Sequence, residues 1–182
     1  VLHKTLLCAE KMSLNIINRA KVLKAEAPSN ALNIFLHNEF REEEVERHVG
    51  DFCMLDDYDV LSAIKSWTLD PDVILSFHCK GIINRRLLKV KYSGTIIDNN
   101  LVKEKKQLVM QNFQVNNEEA GYLVFAGETG NETYSDQDEH INILFKDGSI
   151  KDISGVDNSL INQTLFGTVK KFYICFPNAG LL

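Results

Sequence analysis

The sequence predicts an α+β fold: an all-helical segment over residues 1–84, then a small α+β unit over residues 85–182 with a mostly antiparallel sheet. Three observations predict it. Up to about residue 84 the apolar residues recur at spacings of three and four, the period of a helix with one buried face. Beyond that point they alternate, or run in short β-branched and aromatic stretches, as strands do. Asp147-Gly148 stands between two such stretches and marks a hairpin, which pairs its strands antiparallel.

The elements follow in order. Residues 4–26 place Ala9, Met12, Ile16, Ala20 and Leu23 on one face, which predicts an amphipathic helix. Pro28-Ser29-Asn30 breaks it, and residues 31–40 read as a short second helix. Glu42-Glu43-Glu44, within residues 41–47, reads as a solvated face. Leu55-Asp56-Asp57-Tyr58-Asp59 opens the next helix, with Asp56 placed to accept its free N–H groups and Asp59 near its positive end. Val60, Ile64 and Trp67 form the apolar stripe of that helix. Asp70-Pro71-Asp72 opens another, with Asp70 as the expected cap and Pro71 at the first position, where no N–H is needed. Ile74, Leu75, His78 and Ile82 carry it to about residue 84. Then come a strand over 87–92, a turn at Ser93-Gly94, an amphipathic helix over 99–113 and a strand over 122–126. The hairpin uses 141–145 and 149–153, and residues 168–176 form the final strand.

Composition narrows the function. Of 182 residues, 45% are hydrophobic and 25% charged, enough apolar surface for a real core. The net charge of -5 argues against nucleic acid as a partner, because phosphate backbones are held by clustered lysine and arginine. The four cysteines, Cys8, Cys53, Cys79 and Cys175, form no C-x-x-C pair and read as reduced thiols of a cytoplasmic protein. No apolar run approaches the roughly 18 residues of a membrane span, so no membrane association is expected. The layout of a signal peptide is also missing. The chain opens Val1-Leu2-His3-Lys4, without methionine, and enters a helical pattern at once, which reads as a piece of a longer protein.

No constellation for self-contained catalysis is visible. Asp56, Asp57 and Asp59 lack the glycine and terminal glutamate of a calcium loop, and capping explains them better. His78-Cys79 are adjacent, and adjacent helical side chains point about 100° apart, so they read as a packed pair. Gly121, Gly127 and Gly130 match no phosphate-cradling loop. The expectation is no catalytic residue and no metal site in this segment. Two basic clusters remain: His3-Lys4, and Arg85-Arg86-Leu87-Leu88-Lys89. On a strand, Leu87 and Lys89 share one face while Arg86 and Leu88 share the other. Either these cations are solvated charges flanking a domain joint, or Arg85 and Lys89 contact phosphate, arginine by its fork and lysine as a point charge.

Several stretches carry a resemblance. His3-Lys4-Thr5 with Ala9-Glu10-Lys11-Met12 resembles the helix after the HD core of HD-superfamily phosphohydrolases. Leu55-Asp56-Asp57-Tyr58-Asp59 with Ala63-Ile64-Lys65-Ser66-Trp67 is similar to that family's "LDDxD…A…W" helix, and Arg85 to Lys89 to its "R-x-L-[FY]-K" element. The 141–148 and 169–173 stretches look like the C-terminal domain of a Bacteroidetes-type branch. The order and spacing of these motifs span nearly the whole chain. The family includes deoxynucleoside triphosphate triphosphohydrolases and binds one or two divalent metals through a His, a His-Asp pair and a distant Asp. None of the five histidines here is followed by Asp. The resemblance therefore implies the C-terminal accessory, regulatory and assembly region of a nucleotide phosphohydrolase. Its partners would be its own upstream metal-bearing HD core, further copies of itself and a nucleoside triphosphate. By motif position it assigns His3, Lys4, Arg85 and Lys89 to a regulatory nucleotide. One departure stands out: Leu88 replaces the family's aromatic residue. The alternative is an oligomerisation or interaction module without nucleotide binding.

Overall fold

Cys8, Met12, Ile16 and Ala20, four residues apart, bury one face of α1 (Lys4–Leu23). The structure, a computed structural model, describes residues 3–131, 142–152 and 169–178. Ala9 lies beside this stripe and is only half-buried, and Leu23 is exposed. The helix stops short of residue 26 because Lys24 turns left-handed (φ 50°). The segment after it is held by side chains. Asn33 accepts from the Ala27 N–H at 2.7 Å and donates to its carbonyl at 2.8 Å. The indole of the buried Trp67 donates to the Glu26 carbonyl at 2.8 Å.

Helix α2 (Asn30–His37) is capped by Ser29, whose hydroxyl accepts from the Leu32 N–H. The acidic run falls in α3 (Glu42–Val45), and a 3-10 turn joins that helix to α4 (Val49–Cys53). Helix α5 (Asp57–Ser66) starts as expected: Asp56 accepts from the Tyr58 and Asp59 N–H groups, and Asp59 reaches back to the Asp56 N–H at 3.0 Å. Helix α6 (Val73–Ile83) corrects the expected cap. Asp72, not Asp70, accepts from the Leu75 N–H at 2.8 Å, while Asp70 accepts from the Asp72 N–H in a turn. Pro71 therefore precedes the cap. α6 runs close against α1 at Gly81, where a Cβ would lie 2.7 Å from the Met12 methyl and 3.1 Å from the Arg86 carbonyl oxygen.

The second half holds β1 (Lys89–Ser93), α7 (Asn99–Phe113), α8 (Asn117–Leu123), β2 (Phe125–Asn131), β3 (Asn142–Leu144), β4 (Ile150–Asp152) and β5 (Val169–Phe176). Strand β5 is central, antiparallel to β1 on one side (Val90 opposite Cys175) and to β2 on the other (Phe125 opposite Cys175). β3 and β4 form the expected hairpin. Gly148 (φ 82°) donates to the Phe145 carbonyl at its tip. Ile141, Ile153 and Thr168, the outer ends of the expected strands, lie outside the described residues.

Two expected strands differ. The first begins at Lys89 rather than residue 87, because the chain leaves α6 through a left-handed Arg85. The strand expected over 122–126 begins at Phe125, since Tyr122 and Leu123 end a helix. The signal for that helix is a reciprocal cap: Asn116 accepts from the Glu119 N–H at 2.9 Å, and Glu119 accepts from the Asn116 N–H at 3.0 Å.

The architecture is thus α+β, and three apolar clusters hold it. One, around Ile16, Leu36, Ile64, Trp67 and Leu75, lies wholly before residue 84. A second joins Leu7, Cys8 and Met12 of α1 to Leu88, Val90, Tyr173 and Cys175. A third joins Ile74 of α6 to Val109, Ala120, Leu123 and Ile174. The sheet therefore packs directly on the first and sixth helices, which places the start of α1 beside the end of α6.

Candidate functional site

A pocket of about 240 Å³ opens where these two helix ends meet, lined by Lys4, Thr5, Cys8, Arg85, Leu87, Leu88 and Val90. Three physical features give it a positive field of the kind that favours an anion. Lys4 and Arg85 bring two positive charges, and the lining contains no carboxylate. The described residues also pair neither cation with an acid; the Lys4 ammonium rests 5.6 Å from the Tyr92 ring centre. Lys4 and Thr5 lie in the first turn of a 20-residue helix that has no side-chain cap and no acidic residue in that turn. Its free N–H groups and positive dipole end favour negative charge. The remaining walls, Leu87, Leu88 and Val90, are apolar.

The backbone beneath Arg85 explains how its side chain gets there. α6 ends at Ile83, and the Arg86 N–H donates to the Gly81 carbonyl at 2.8 Å across a left-handed Arg85 (φ 57°). Glycine favours that position, and a side chain there costs roughly 1 kcal/mol. Lys24 and Gln114 end α1 and α7 in the same way, so the conformation is a habit of this chain; at Arg85 it aims a cation at the pocket.

Of the four residues singled out in the sequence, Lys4 and Arg85 share this pocket. His3 is the exposed N-cap residue of α1 and accepts the Leu7 N–H through its carbonyl at 3.1 Å. Lys89 stands opposite Phe176 on β1, and the alternation of the strand turns it away from the pocket-lining Val90. Thr5, Cys8 and Val90 were not singled out. The first two follow one and four residues after Lys4 and were legible only once the helix end was known to be uncapped.

A larger cavity of about 500 Å³ lies between α1 and α8, lined by Asn15, Asn18, Lys21, Val22, Glu118, Gly121 and Tyr122. It sets Lys21 against Glu118, so its field has no single sign. Beside it sits a cation wholly engaged in structure. Arg19 donates to both carboxylate oxygens of Asp72, at 3.1 and 2.6 Å, and to Glu119 at 2.9 Å, with its guanidinium 5.6 Å from the Tyr122 ring centre. Burial alone would push Asp72 up. The Arg19 fork and the Leu75 N–H outweigh it and hold the carboxyl below its usual range. Sequence reading missed this knot, although Arg19 falls on the apolar face between Ile16 and Ala20. His78 is fully buried, its Nε2 donates to the Tyr122 carbonyl at 3.0 Å, and its Nδ1 has no partner among the described residues. Burial pushes its pKa down to about 4, so the ring is neutral near pH 7. Among the described residues no three His, Cys, Asp or Glu side chains converge as metal ligands.

The chain matches a solved phosphohydrolase from Bacteroides thetaiotaomicron VPI-5482, with 34% sequence identity and a TM-score of 0.83 over 97% of the chain. In sequence and fold it is similar to part of that protein. It spans less than half of that protein, covering 46% of its length. No protein-family model matches the chain, and no curated protein sequence matches it. No helix among the described residues is long and apolar enough to cross a membrane.

Proposed function

We propose that this chain is the C-terminal accessory region of a cytoplasmic, metal-dependent HD-superfamily phosphohydrolase acting on nucleotides, with a deoxynucleoside triphosphate as the favoured substrate. The reaction belongs to an upstream HD core, which carries the divalent metal. This region supplies regulation and assembly. The observation that carries the reading is the convergence of Lys4 and Arg85, far apart in sequence, on one pocket without an acidic wall. Likeness to part of a phosphohydrolase more than twice the length of this chain supports a reading in which the catalytic core lies outside this segment.

In this reading Arg85 grips two phosphate oxygens with its fork, Lys4 adds a point charge, and the Thr5 hydroxyl and the free α1 N–H groups donate to the remaining oxygens. Leu87, Leu88 and Val90 hold the apolar part of the ligand. Leu88, in place of an aromatic ring, packs without stacking and sets a looser preference among bases. His3 and Lys89 flank the site and contribute long-range field rather than a direct grip. Exposed apolar side chains on α1 (Leu6, Leu14, Val22) and around α4 and α5 (Phe52, Met54, Tyr58) offer surface for the upstream core and for further copies.

The test is a calorimetric titration of the full-length protein with deoxynucleoside triphosphates, beside Lys4→Ala and Arg85→Ala. A charge-assisted bond is worth about 1.5–3 kcal/mol, so each variant is expected to lose about tenfold or more in affinity. Wild-type affinity in both variants sinks the regulatory assignment and leaves the interaction module.

A further inference from the structure

The larger cavity, between α1 and α8, has a chemistry of its own. It sets the Lys21 ammonium and the Asn15 and Asn18 carboxamides of α1 against the Glu118 carboxylate, Gly121 and Tyr122 of α8. Among the described residues, the side chains of Asn18, Lys21 and Glu118 make no hydrogen bond and no ion pair. Each charge suits its own helix end, Lys21 in the last turn of α1 and Glu118 in the first turn of α8, so both are tolerated unpaired. Two bonds tie the walls together. Asn15 donates to the Tyr122 carbonyl at 2.8 Å, and Arg19 of α1 donates to Glu119 of α8 at 2.9 Å. At about 500 Å³ the space is of ligand size.

We propose that this cavity binds a small zwitterion, an aliphatic α-amino acid, with its carboxylate at Lys21 and its ammonium at Glu118. The two opposite charges, both unpaired, carry the assignment. A polyanion meets the Glu118 carboxylate and a simple cation meets Lys21, so each gains one favourable contact and suffers one like charge. A zwitterion satisfies both. The Asn18 carboxamide donates and accepts, so it serves either end of such a ligand. Val22 and the Tyr122 ring supply an apolar wall for its side chain. Gly121 presents no side chain, and the Lys106 ammonium of α7 lies 3.5 Å from the place its Cβ would take, which adds positive charge on that side.

This site is independent of the anion pocket. Asn15 follows Lys4 by eleven residues, roughly 16 Å of helix, and the two cavities share no lining residue. Their fields also differ in kind, since one wall set carries cations alone and the other carries both signs. A failure of triphosphate binding at Lys4 and Arg85 therefore leaves amino-acid binding between α1 and α8 untouched.

The experiment is a ligand-observed NMR titration of the full-length protein with probes of similar shape: L-leucine, isocaproate, which lacks the ammonium, and isoamylamine, which lacks the carboxylate. Leucine is expected to bind, and each truncated probe to bind about fivefold more weakly, the factor that corresponds to about 1 kcal/mol for an ion pair in an open site. Lys21→Gln is expected to remove the advantage of leucine over isoamylamine and keep its advantage over isocaproate. Glu118→Gln is expected to do the reverse. Both positions are exposed, so the fold is expected to survive, and the three probes on the wild-type protein decide even if a variant fails to fold. No leucine binding into the millimolar range, a truncated probe that binds as tightly as leucine, or variants that keep the wild-type order of probes overturn the proposal.

Discussion

Arg19 and Arg85 sit at opposite ends of the antiparallel α1–α6 pair and use the same guanidinium differently. Arg19 is buried, and its Nε and Nη2 donate to Asp72 and Glu119. It ties α1 to the start of α6 and to α8 with its countercharges already in place. Arg85 is exposed, stands on a left-handed backbone, and meets no carboxylate among the described residues. The surroundings separate the two roles. A cation with its countercharges in place is part of the scaffold, whereas Lys4 and Arg85 share a pocket with an uncapped helix end and meet no countercharge among the described residues.

The comparison can be broken at its structural end first, where the largest effect is expected. Arg19→Ala leaves the Asp72 and Glu119 carboxylates half-buried and unpaired, and breaking a buried pair costs about 3–5 kcal/mol. The shielding here is partial, with the side chains of Asp72 and Glu119 16% and 27% exposed, so the lower end of that range is expected in urea unfolding. A loss below 1 kcal/mol, on the order of an exposed surface pair, contradicts the account of the knot.

His78, on α6 between the two arginines, predicts a pH dependence of similar or smaller size. Its folded pKa lies near 4, below its ordinary value of 6.5. Between those values the unfolded chain binds a proton that the folded chain does not, so stability falls as pH drops from about 6.5 toward 4 and is flat above. At about 1.4 kcal/mol per unit, the full window is worth on the order of 3 kcal/mol. Unfolding at pH 7 and pH 5 measures it, and His78→Phe is expected to reduce the slope. An unchanged slope removes His78 as its source.

Gly81 sharpens the comparison midway. Alanine there drives a Cβ against Met12 and the Arg86 carbonyl, and overpacking of this kind costs about 1–3 kcal/mol. Since the strained turn at Arg85 hangs from the Gly81 carbonyl, triphosphate binding should weaken in the same variant. Loss of stability with unchanged binding shows the pocket to be insulated from the α1–α6 contact.

The legible part of this molecule was the part governed by local rules. The α5 cap at Asp56, the hairpin at Gly148 and the apolar stripe through Met12, Ile16 and Ala20 all follow from spacing and turn chemistry. Asp70 and Asp72 show the limit, because both are good caps and the choice fell to Asp72, which is also gripped by Arg19 from another helix. Tyr122 and Leu123 read as strand from their side chains, while the capping pair that makes them helical sits at Asn116 and Glu119. At the site, the basic residues were visible as two clusters, and the motif resemblance joined them. The meeting of Lys4 with Arg85, the absence of an acid between them and the turn of Lys89 away from Val90 are properties of packing.

The most direct test of the central claim is Arg85→Gly in the full-length protein, with stability and triphosphate affinity measured together. Glycine relieves the left-handed backbone, so stability is expected to rise by roughly 1 kcal/mol, while affinity for a deoxynucleoside triphosphate falls about tenfold or more. Lys24→Gly, at an equivalent turn away from the pocket, is expected to gain similar stability with binding intact. A more stable Arg85→Gly protein that binds triphosphate as tightly as wild type would contradict the account, because the cation held on that strained turn would then serve no ligand.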